Sequence, residues 1–481
     1  MRPLRYLSVL TISIPLLLPA QDVVVQWSDP IVVHRGSQDL IRPRIVLTAE
    51  HSPVVLWAEA NANYVAMKEG VDFSTPIQIH PAGMSVAAAD WQGSDLVAQG
   101  GSVHAVMKRI PENTGGIYLV SSNDGGYTWS DTLRVDVIPG YKSRFSSVAV
   151  NTTGDVLVQY MRIDMQEADH RYMVTRVVDG AVQPPLDVSS PFTTGEDCDC
   201  CPGQIVAEGD HVVALFRDAT LNERVIWGAK SSDGGVSFDQ GAELDPTEWT
   251  LHACPASGPD GHIDGDTLRY AWMSAAVMGG KVYVGAAALS DLATAPVVQV
   301  HPGQPQTLQQ NHPRIAAAGD TVAVVWQQLV LGQTEVLFAV KVPGMVQFSD
   351  PDTVNVELLG PQVSPDIAFA NGTFHVVYAD PYEDAIIYRS ATLSGAIGIV
   401  DPAVPELRVW PVPAVAKLYL RWDGTLAGHR LEIHDPQGRL VLQQQASATI
   451  DVDALHAGYY HLVIRTADGS PVARKRFMVT R

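Results

Sequence analysis

The 481-residue sequence predicts an all-β chain, a seven-bladed β-propeller (six-bladed as the alternative) followed by a small C-terminal β-sandwich. Three observations carry this. Units of about fifty residues recur along most of the chain. Each unit alternates β-branched and aromatic residues in short runs broken by Gly, Asn and Asp, the pattern of antiparallel strands. Two tight turns, Ser122-Asn123-Asp124-Gly125-Gly126-Tyr127-Thr128-Trp129 and Ser232-Asp233-Gly234-Gly235-Val236-Ser237-Phe238, hand one strand to the next. About four short strands per unit at that period describe a propeller blade.

One strand of the unit is marked by an aromatic followed by Ser-Asp or Ser-Thr. Copies stand at Trp27-Ser28-Asp29, Phe73-Ser74-Thr75, Trp129-Ser130-Asp131 and Phe348-Ser349-Asp350, with weaker ones near Pro184, Phe238 and Pro296. Between the copies lie paired apolar runs, as in Arg314-Ile315-Ala316 and Val322-Ala323-Val324-Val325-Trp326. First strands are expected near Ile45, Val97, Val148, Ile205, Ile263, Ile315 and Ile367, the fifth unit, around Gly258 to Trp272, being the least regular. The last unit lacks a clear fourth strand, whereas Val23 to Val33 supplies one. This segment is therefore expected to complete the last blade, leaving no unpaired edge.

Residues 1–20 have Arg2 and Arg5, an apolar stretch from Leu7 to Leu18 and then Pro19-Ala20. That is the pattern of a secretory signal peptide cleaved after Ala20, too short for a transmembrane segment, and no other such run follows. The formal charge of −20, from 32 basic and 52 acidic residues, argues against a nucleic-acid partner, since phosphate binding needs a positive field. The propeller is expected over 21–400, with a Pro-rich linker and the sandwich over 401–481.

The tail carries Val409-Trp410-Pro411-Val412-Pro413, Ile433-His434-Asp435-Pro436-Gln437-Gly438-Arg439-Leu440-Val441, Leu455-His456-Ala457-Gly458-Tyr459-Tyr460-His461-Leu462 and a basic end, Arg474-Lys475-Arg476-Phe477. It resembles the type A C-terminal sorting domain of type IX secretion substrates, with Val412 where that family usually has Asn. The resemblance implies handling by the type IX machinery and release or anchoring at the outer cell surface. An ordinary immunoglobulin-like accessory domain is the alternative.

In a propeller, first-strand starts and second-strand ends share one face near the axis. Arg44, Arg144, Arg314 and Asp366 stand at such starts, with His312 just before, and Lys108, Arg109, Arg162, Arg217 and Asp218 at such ends. The sequence thus gathers cations and interleaved carboxylates at one mouth. Forked guanidinium donors there suit a carboxylate or sulfate, as on an anionic glycan or other acidic ligand. Mutual ion pairing of solvated charges is the competing reading.

The two Gly-bearing turns resemble the Asp boxes of the sialidase (BNR) superfamily. The resemblance implies structural roles for Asp124, Gly126, Trp129, Asp233, Gly235 and Phe238, since these boxes sit away from the catalytic face. It also implies a triad of arginines, a Tyr nucleophile with a Glu partner, and an Asp acid. Position alone suggests Arg44, Arg217 and Arg314 for the triad, and no Tyr–Glu pair is assignable, so catalytic residues remain unknown. A secreted or surface propeller that binds anionic glycans with altered or absent catalysis is the reading preferred over an exo-sialidase or related glycoside hydrolase.

All four cysteines lie in two loops, Asp197-Cys198-Asp199-Cys200-Cys201-Pro202 and His252-Ala253-Cys254-Pro255. An exported chain favours a disulfide from Cys254 to one of Cys198, Cys200 or Cys201. The same thiols with His252 offer soft ligands to a metal, the one cofactor the sequence suggests and a third functional reading, that of a metal-binding enzyme.

Overall fold

The computed structural model describes residues 23–480 apart from 37–38, 278, 303–308, 331, 358, 395–406, 412–413, 423–427, 436–438 and 467–470. The expected signal peptide and most of the Pro-rich segment lie outside the described residues. The chain divides into two compact units, Met1–Ala396 and Ile397–Arg481. Apart from a 3-10 turn at Thr220–Asn222, the regular structure among the described residues is β.

Among its described residues the first unit contains seven antiparallel sheets of four or five strands. Their inner strands are Ile41–Leu47, Asp95–Gln99, Tyr141–Val150, Gln204–Glu208, Asp260–Asp264, Gln310–Ala318 and Val363–Ala370. Each inner strand contacts the next in sequence order, and the last contacts the first. All seven border one cavity of about 300 Å³. The second strand of each sheet is packed on both faces by neighbouring sheets. Pro53–Glu59 and His211–Arg217, for example, are buried along nearly their whole length, which is why they read as continuous apolar runs instead of alternating ones.

The recurring aromatic-Ser pair has a physical reason. In four sheets the serine hydroxyl accepts the backbone N–H of the adjacent strand: Ser28 from Ser390 at 3.0 Å, Ser74 from Met67 at 3.1 Å, Ser130 from Ser121 at 3.0 Å and Ser349 from Val340 at 3.1 Å. The preceding aromatics, Trp27, Phe73, Trp129 and Phe348, pack against the cores between sheets.

Both Gly-bearing turns close in the same way. Asp124 accepts from the Thr128 N–H (2.9 Å) and hydroxyl (2.6 Å) and from the Ser122 hydroxyl (2.7 Å), while Ser122 Oγ accepts the Gly126 N–H (2.9 Å). These donors, Thr128 foremost, hold the Asp124 carboxyl down at about 2. Trp129 Nε1 donates to the Gly126 carbonyl at 2.8 Å. Asp233 repeats the arrangement with Ser237 and Ser231, and Phe238 packs where a Trp stood before. Gly126 (φ 105°) and Gly235 (φ 86°) are required twice over, by the left-handed backbone and by space. A Cβ would lie 3.1 Å from Met67 Sδ or 2.1 Å from Leu157 Cδ2, both in the preceding sheet.

Val24–Trp27 and Ile31–Arg35 pair antiparallel with Ala385–Ser394, the last strand of the first unit. Residues from the start of the described chain thereby complete the sheet begun by Val363–Ala370. Arg389 fixes the junction, donating to the Ser28 carbonyl and stacking over Trp27 at 5.1 Å.

The second unit has a three-stranded sheet (Leu407–Trp410, Lys417–Trp422, Thr449–Asp451) and a four-stranded one (Arg430–His434, Leu440–Gln445, Gly458–Arg465, Pro471–Val479). Leu418, Leu420 and Ile450 of the first share one core with Leu431, Ile433, Leu462, Ile464 and Phe477 of the second.

Candidate ligand-binding site

One position is equivalent in all seven inner strands, at or near the start of the regular pairing: Arg44, Asp95, Ser147, Gln204, Asp260, Arg314 and Asp366. Four of these side chains accept the backbone N–H of the next sheet. Asp95 takes Val148 N at 3.0 Å, Ser147 takes Ile205 N at 3.0 Å, Asp260 takes Ile315 N at 2.8 Å and Asp366 takes Ile45 N at 2.9 Å. The arginines sit between the carboxylates. Arg314 pairs with Asp366 (2.7 Å) and Asp260 (3.1 Å), and Arg44 lies 3.6 Å from Asp95. Gln204 links the two groups, donating to Asp95 and accepting from Arg314.

Arg44, Arg314 and Asp366, expected at a ligand, are engaged in ion pairs and hydrogen bonds that join neighbouring sheets, and Arg44 and Arg314 also line a small cavity. Burial opposes the Arg314 charge, yet Asp260 and Asp366 hold that guanidinium above its ordinary range. Burial pushes the Asp260 carboxyl up to about 6, against the pull of Arg314.

Just before this ring, four inner strands break register, between Ile41 and Arg44, Arg144 and Ser147, Asn311 and Arg314, and Val363 and Asp366. At each break one residue takes positive φ: Arg42 (55°), Phe145 (53°), His312 (50°) and Ser364 (53°). These bulges turn Arg42, Phe145 and His312 into a small cavity of about 40 Å³, closed by Gly93, Pro202, Gly258 and Pro313 and floored by Arg44, Asp95 and Arg314. A Cβ on Gly93 would lie 3.0 Å from Arg42 Cβ, so the bare glycine lets the arginine stem lie flat.

Sequence reasoning missed Arg42, because an arginine in left-handed backbone leaves no periodic trace. It is 8 % exposed. One guanidinium nitrogen donates to the Asp90 carbonyl at 3.1 Å, and Nε has no partner among the described residues. No carboxylate pairs with it among the described residues. Burial, then Arg44 and Arg314, drive its affinity for a proton well below the usual arginine range. Burial followed by Arg42 and Arg44 brings His312 down to about 3, leaving a neutral imidazole at neutral pH.

Two of the other expected cations, Arg144 and Arg217, are engaged elsewhere. Arg144 contacts Glu112, Glu167 (3.4 Å) and the Asp199 carbonyl (3.2 Å) outside the cavity. Arg217 has no exposed surface, and donates to the carbonyls of Ser257 (3.2 Å), Arg224 (2.8 Å) and Met273 (2.8 Å) while lying 5.6 Å from the Trp249 ring. Asp218 accepts from the Thr220 N–H and hydroxyl in the adjoining turn. Both, expected at a ligand, are turned inward as supports.

The cysteine loops meet above Arg217. Cys200 and Cys254 form a disulfide with Cα atoms 6.0 Å apart, and Cys198 and Cys201 are buried thiols. The sulfurs of Cys198, Cys200 and Cys201 lie within 4.8 Å of one another, whereas exposed His252 is not in the group. Two of the three thiols are thus placed for a soft metal, with Cys200 committed to the bridge. A Cβ on Gly258 would overlap the Pro202 carbonyl at 1.8 Å, so the two loops touch through backbone at the cavity wall.

Beside them, burial pushes the Asp197 carboxyl up to about 8, and its Oδ1 has no partner. The folded chain then holds a proton that the unfolded chain releases above about pH 4, so stability is fullest below that value and falls as pH rises toward 8. Asp197→Asn is expected to abolish this decline and to gain a few kcal/mol at pH 8, measured by urea unfolding at pH 5 and 8.

Residues 408–480 match the family described as the secretion system C-terminal sorting domain. The tail is a type IX sorting domain. The sorting domain makes this a protein of the cell exterior, secreted or held on the outer surface. No helix among the described residues is long and apolar enough to cross a membrane. No curated protein matches the sequence. Solved structures similar to the chain that carries this sorting domain include an ulvan lyase of a new polysaccharide lyase family, bound to -[GlcA(1-4)Rha3S]- (12% identity, 76% of this chain and 98% of that one, TM-score 0.50). Another is a Penicillium chrysogenum α-L-arabinanase complexed with arabinobiose (11%, 76% and 98%, TM-score 0.47). A Trypanosoma rangeli sialidase covers more of the chain (11%, 97% and 93%, TM-score 0.43). At such identities the likeness is one of fold.

Proposed function

We propose that the seven sheets are the blades of a β-propeller that binds an anionic group of an extracellular glycan at the Arg42 mouth. The proposal takes residues 1–20 as a cleaved leader, 21–400 as the propeller and 401–481 as linker and sorting domain. The observation that carries it is Arg42, a buried guanidinium on the wall of the cavity beside a neutral His312, with no carboxylate paired to it among the described residues. A buried cation without a counterion is costly, and an entering anion relieves that cost.

The cavity's size decides what enters. About 40 Å³ admits a terminal carboxylate or sulfate and not a sugar ring, since on this measure one water needs roughly 10–15 Å³. The remainder of the glycan then lies outside, over Phe145, Pro202 and His312. No tyrosine or glutamate is among the residues lining the cavity, which favours binding over the Tyr–Glu chemistry of a sialidase.

Calorimetric titration with sulfated and uronate oligosaccharides tests this. Arg42→Ala is expected to weaken binding about 10- to 100-fold, the value of a charged hydrogen bond, while Arg109→Ala, at the exposed second-strand end, leaves it unchanged. Equal loss in both variants, or equal affinity for neutral oligosaccharides, would remove Arg42 from the site.

A further inference from the structure

The ligand reading leaves the cysteine cluster unused. Cys198 Sγ lies 3.7 Å from Cys200 Sγ, and Cys200 is already bonded to Cys254. Cys198 and Cys201 are 1 % and 0 % exposed, Cys200 is half-buried and Cys254 is exposed. A free thiol next to a disulfide sulfur is the arrangement from which exchange proceeds.

We propose that the four cysteines form an internal thiol–disulfide exchange centre in which Cys198 attacks Cys200 and frees Cys254 as a modifiable surface thiol. This inference is independent of the glycan-binding reading.

The step balances within the protein. Cys198 gives up its proton and its sulfur bonds to Cys200 Sγ. The Cys200–Cys254 bond breaks with its electron pair passing to Cys254 Sγ, which takes a proton from water. One disulfide is lost and one formed, so no oxidant or reductant is consumed.

The surroundings favour the two sulfurs that carry charge. The Cys201 thiol and the Arg217 guanidinium lie beside the Cys198 sulfur, a donor and a positive charge of the kind that favours a thiolate. At the other end, the leaving sulfur is on an exposed residue, where water stabilises the thiolate. Released Cys254, as its thiolate, would attack a low-molecular-weight disulfide such as cystine, breaking that S–S bond and releasing one free cysteine, to give a mixed disulfide on the loop that leads to Gly258 and Pro259 of the cavity wall.

The test is alkylation of the native full-length protein, purified without thiol reagents and held with iodoacetamide at pH 8, followed by non-reducing peptide mapping at acid pH. The expected product carries a single alkyl group on Cys254 and a Cys198–Cys200 linkage. Cys198→Ser and Cys198→Ala should each slow that alkylation about tenfold or more. Cys201→Ser, which keeps the attacking sulfur, should retain it at a reduced rate, so the proposal stays testable if the Cys198 variants fold poorly. The proposal is overturned if Cys254 stays unmodified in the parent protein. It is equally overturned if the Cys198 variants react as fast, if Cys198 is itself alkylated with the Cys200–Cys254 bridge intact, or if Cys198 and Cys201 are found linked to each other.

Discussion

Arg314→Leu is expected to destabilise the N-terminal unit by about 3–5 kcal/mol, the loss typical of removing one partner from a buried ion pair. Arg314 is the cation between Asp260 and Asp366, each only 6 % exposed in its side chain. Without it two carboxylates face each other out of water. Each also holds a neighbouring sheet through a backbone N–H, Ile315 for Asp260 and Ile45 for Asp366. The variant that adds Asp260→Asn and Asp366→Asn keeps oxygen acceptors for those N–H groups and removes the charges. It should recover most of the loss in urea unfolding followed by tryptophan fluorescence. If Arg314→Leu alone costs under about 1 kcal/mol, the pairs behave as solvent-screened surface bridges and the ring is no junction.

The second large effect is expected at Arg217. Replacement by Met leaves the Ser257, Arg224 and Met273 carbonyls without their buried donor, at about 1–3 kcal/mol for each unsatisfied group before relaxation. A net loss of about 4 kcal/mol is expected. The same side chain supports the Ser257 end of the loop carrying Cys254, so dithiothreitol should open the Cys200–Cys254 bridge several-fold faster in the variant. Arg217→Lys should recover only part of the stability, because one ammonium cannot reach three carbonyls in fork geometry. Unchanged stability and reduction rate would mean that Arg217 is not the support of the loops.

Much of the repeat was legible because it is written in contacts that each sheet makes for itself. The apolar positions Ile45, Val97, Val148, Ile205, Ile263, Ile315 and Ile367 all fall in inner strands, since a period-two pattern survives in each. The aromatic-Ser pairs were equally legible, because in Ser74, Ser130 and Ser349 the serine serves a backbone N–H only 7 or 9 residues earlier.

What could not be read were partnerships between units. Arg44 and Arg314 looked like free cations, since nothing local says that Asp95, Asp260 and Asp366 occupy the same rank in other sheets. Arg217 and Asp218 stood at a strand end, where exposure is the ordinary expectation, and only tertiary carbonyls turn Arg217 inward. Arg42 was invisible because it rides on a bulge, which breaks the periodicity used to find strands. Among the cysteines, spacing predicted a bridge between the loops but not that Cys200 is the sulfur that reaches Cys254.

The pairing of residues near 28 with residues near 389, 361 positions apart in the sequence, bears on how the molecule is made. Residues near 28 find these hydrogen-bonding partners only after the intervening sheets have been produced, and such distant pairing is slow to form. Until then the sheet begun by Val363–Ala370 lacks its outer strands. The seam between these distant segments is thus the step of assembly that depends on the whole of the first unit being present.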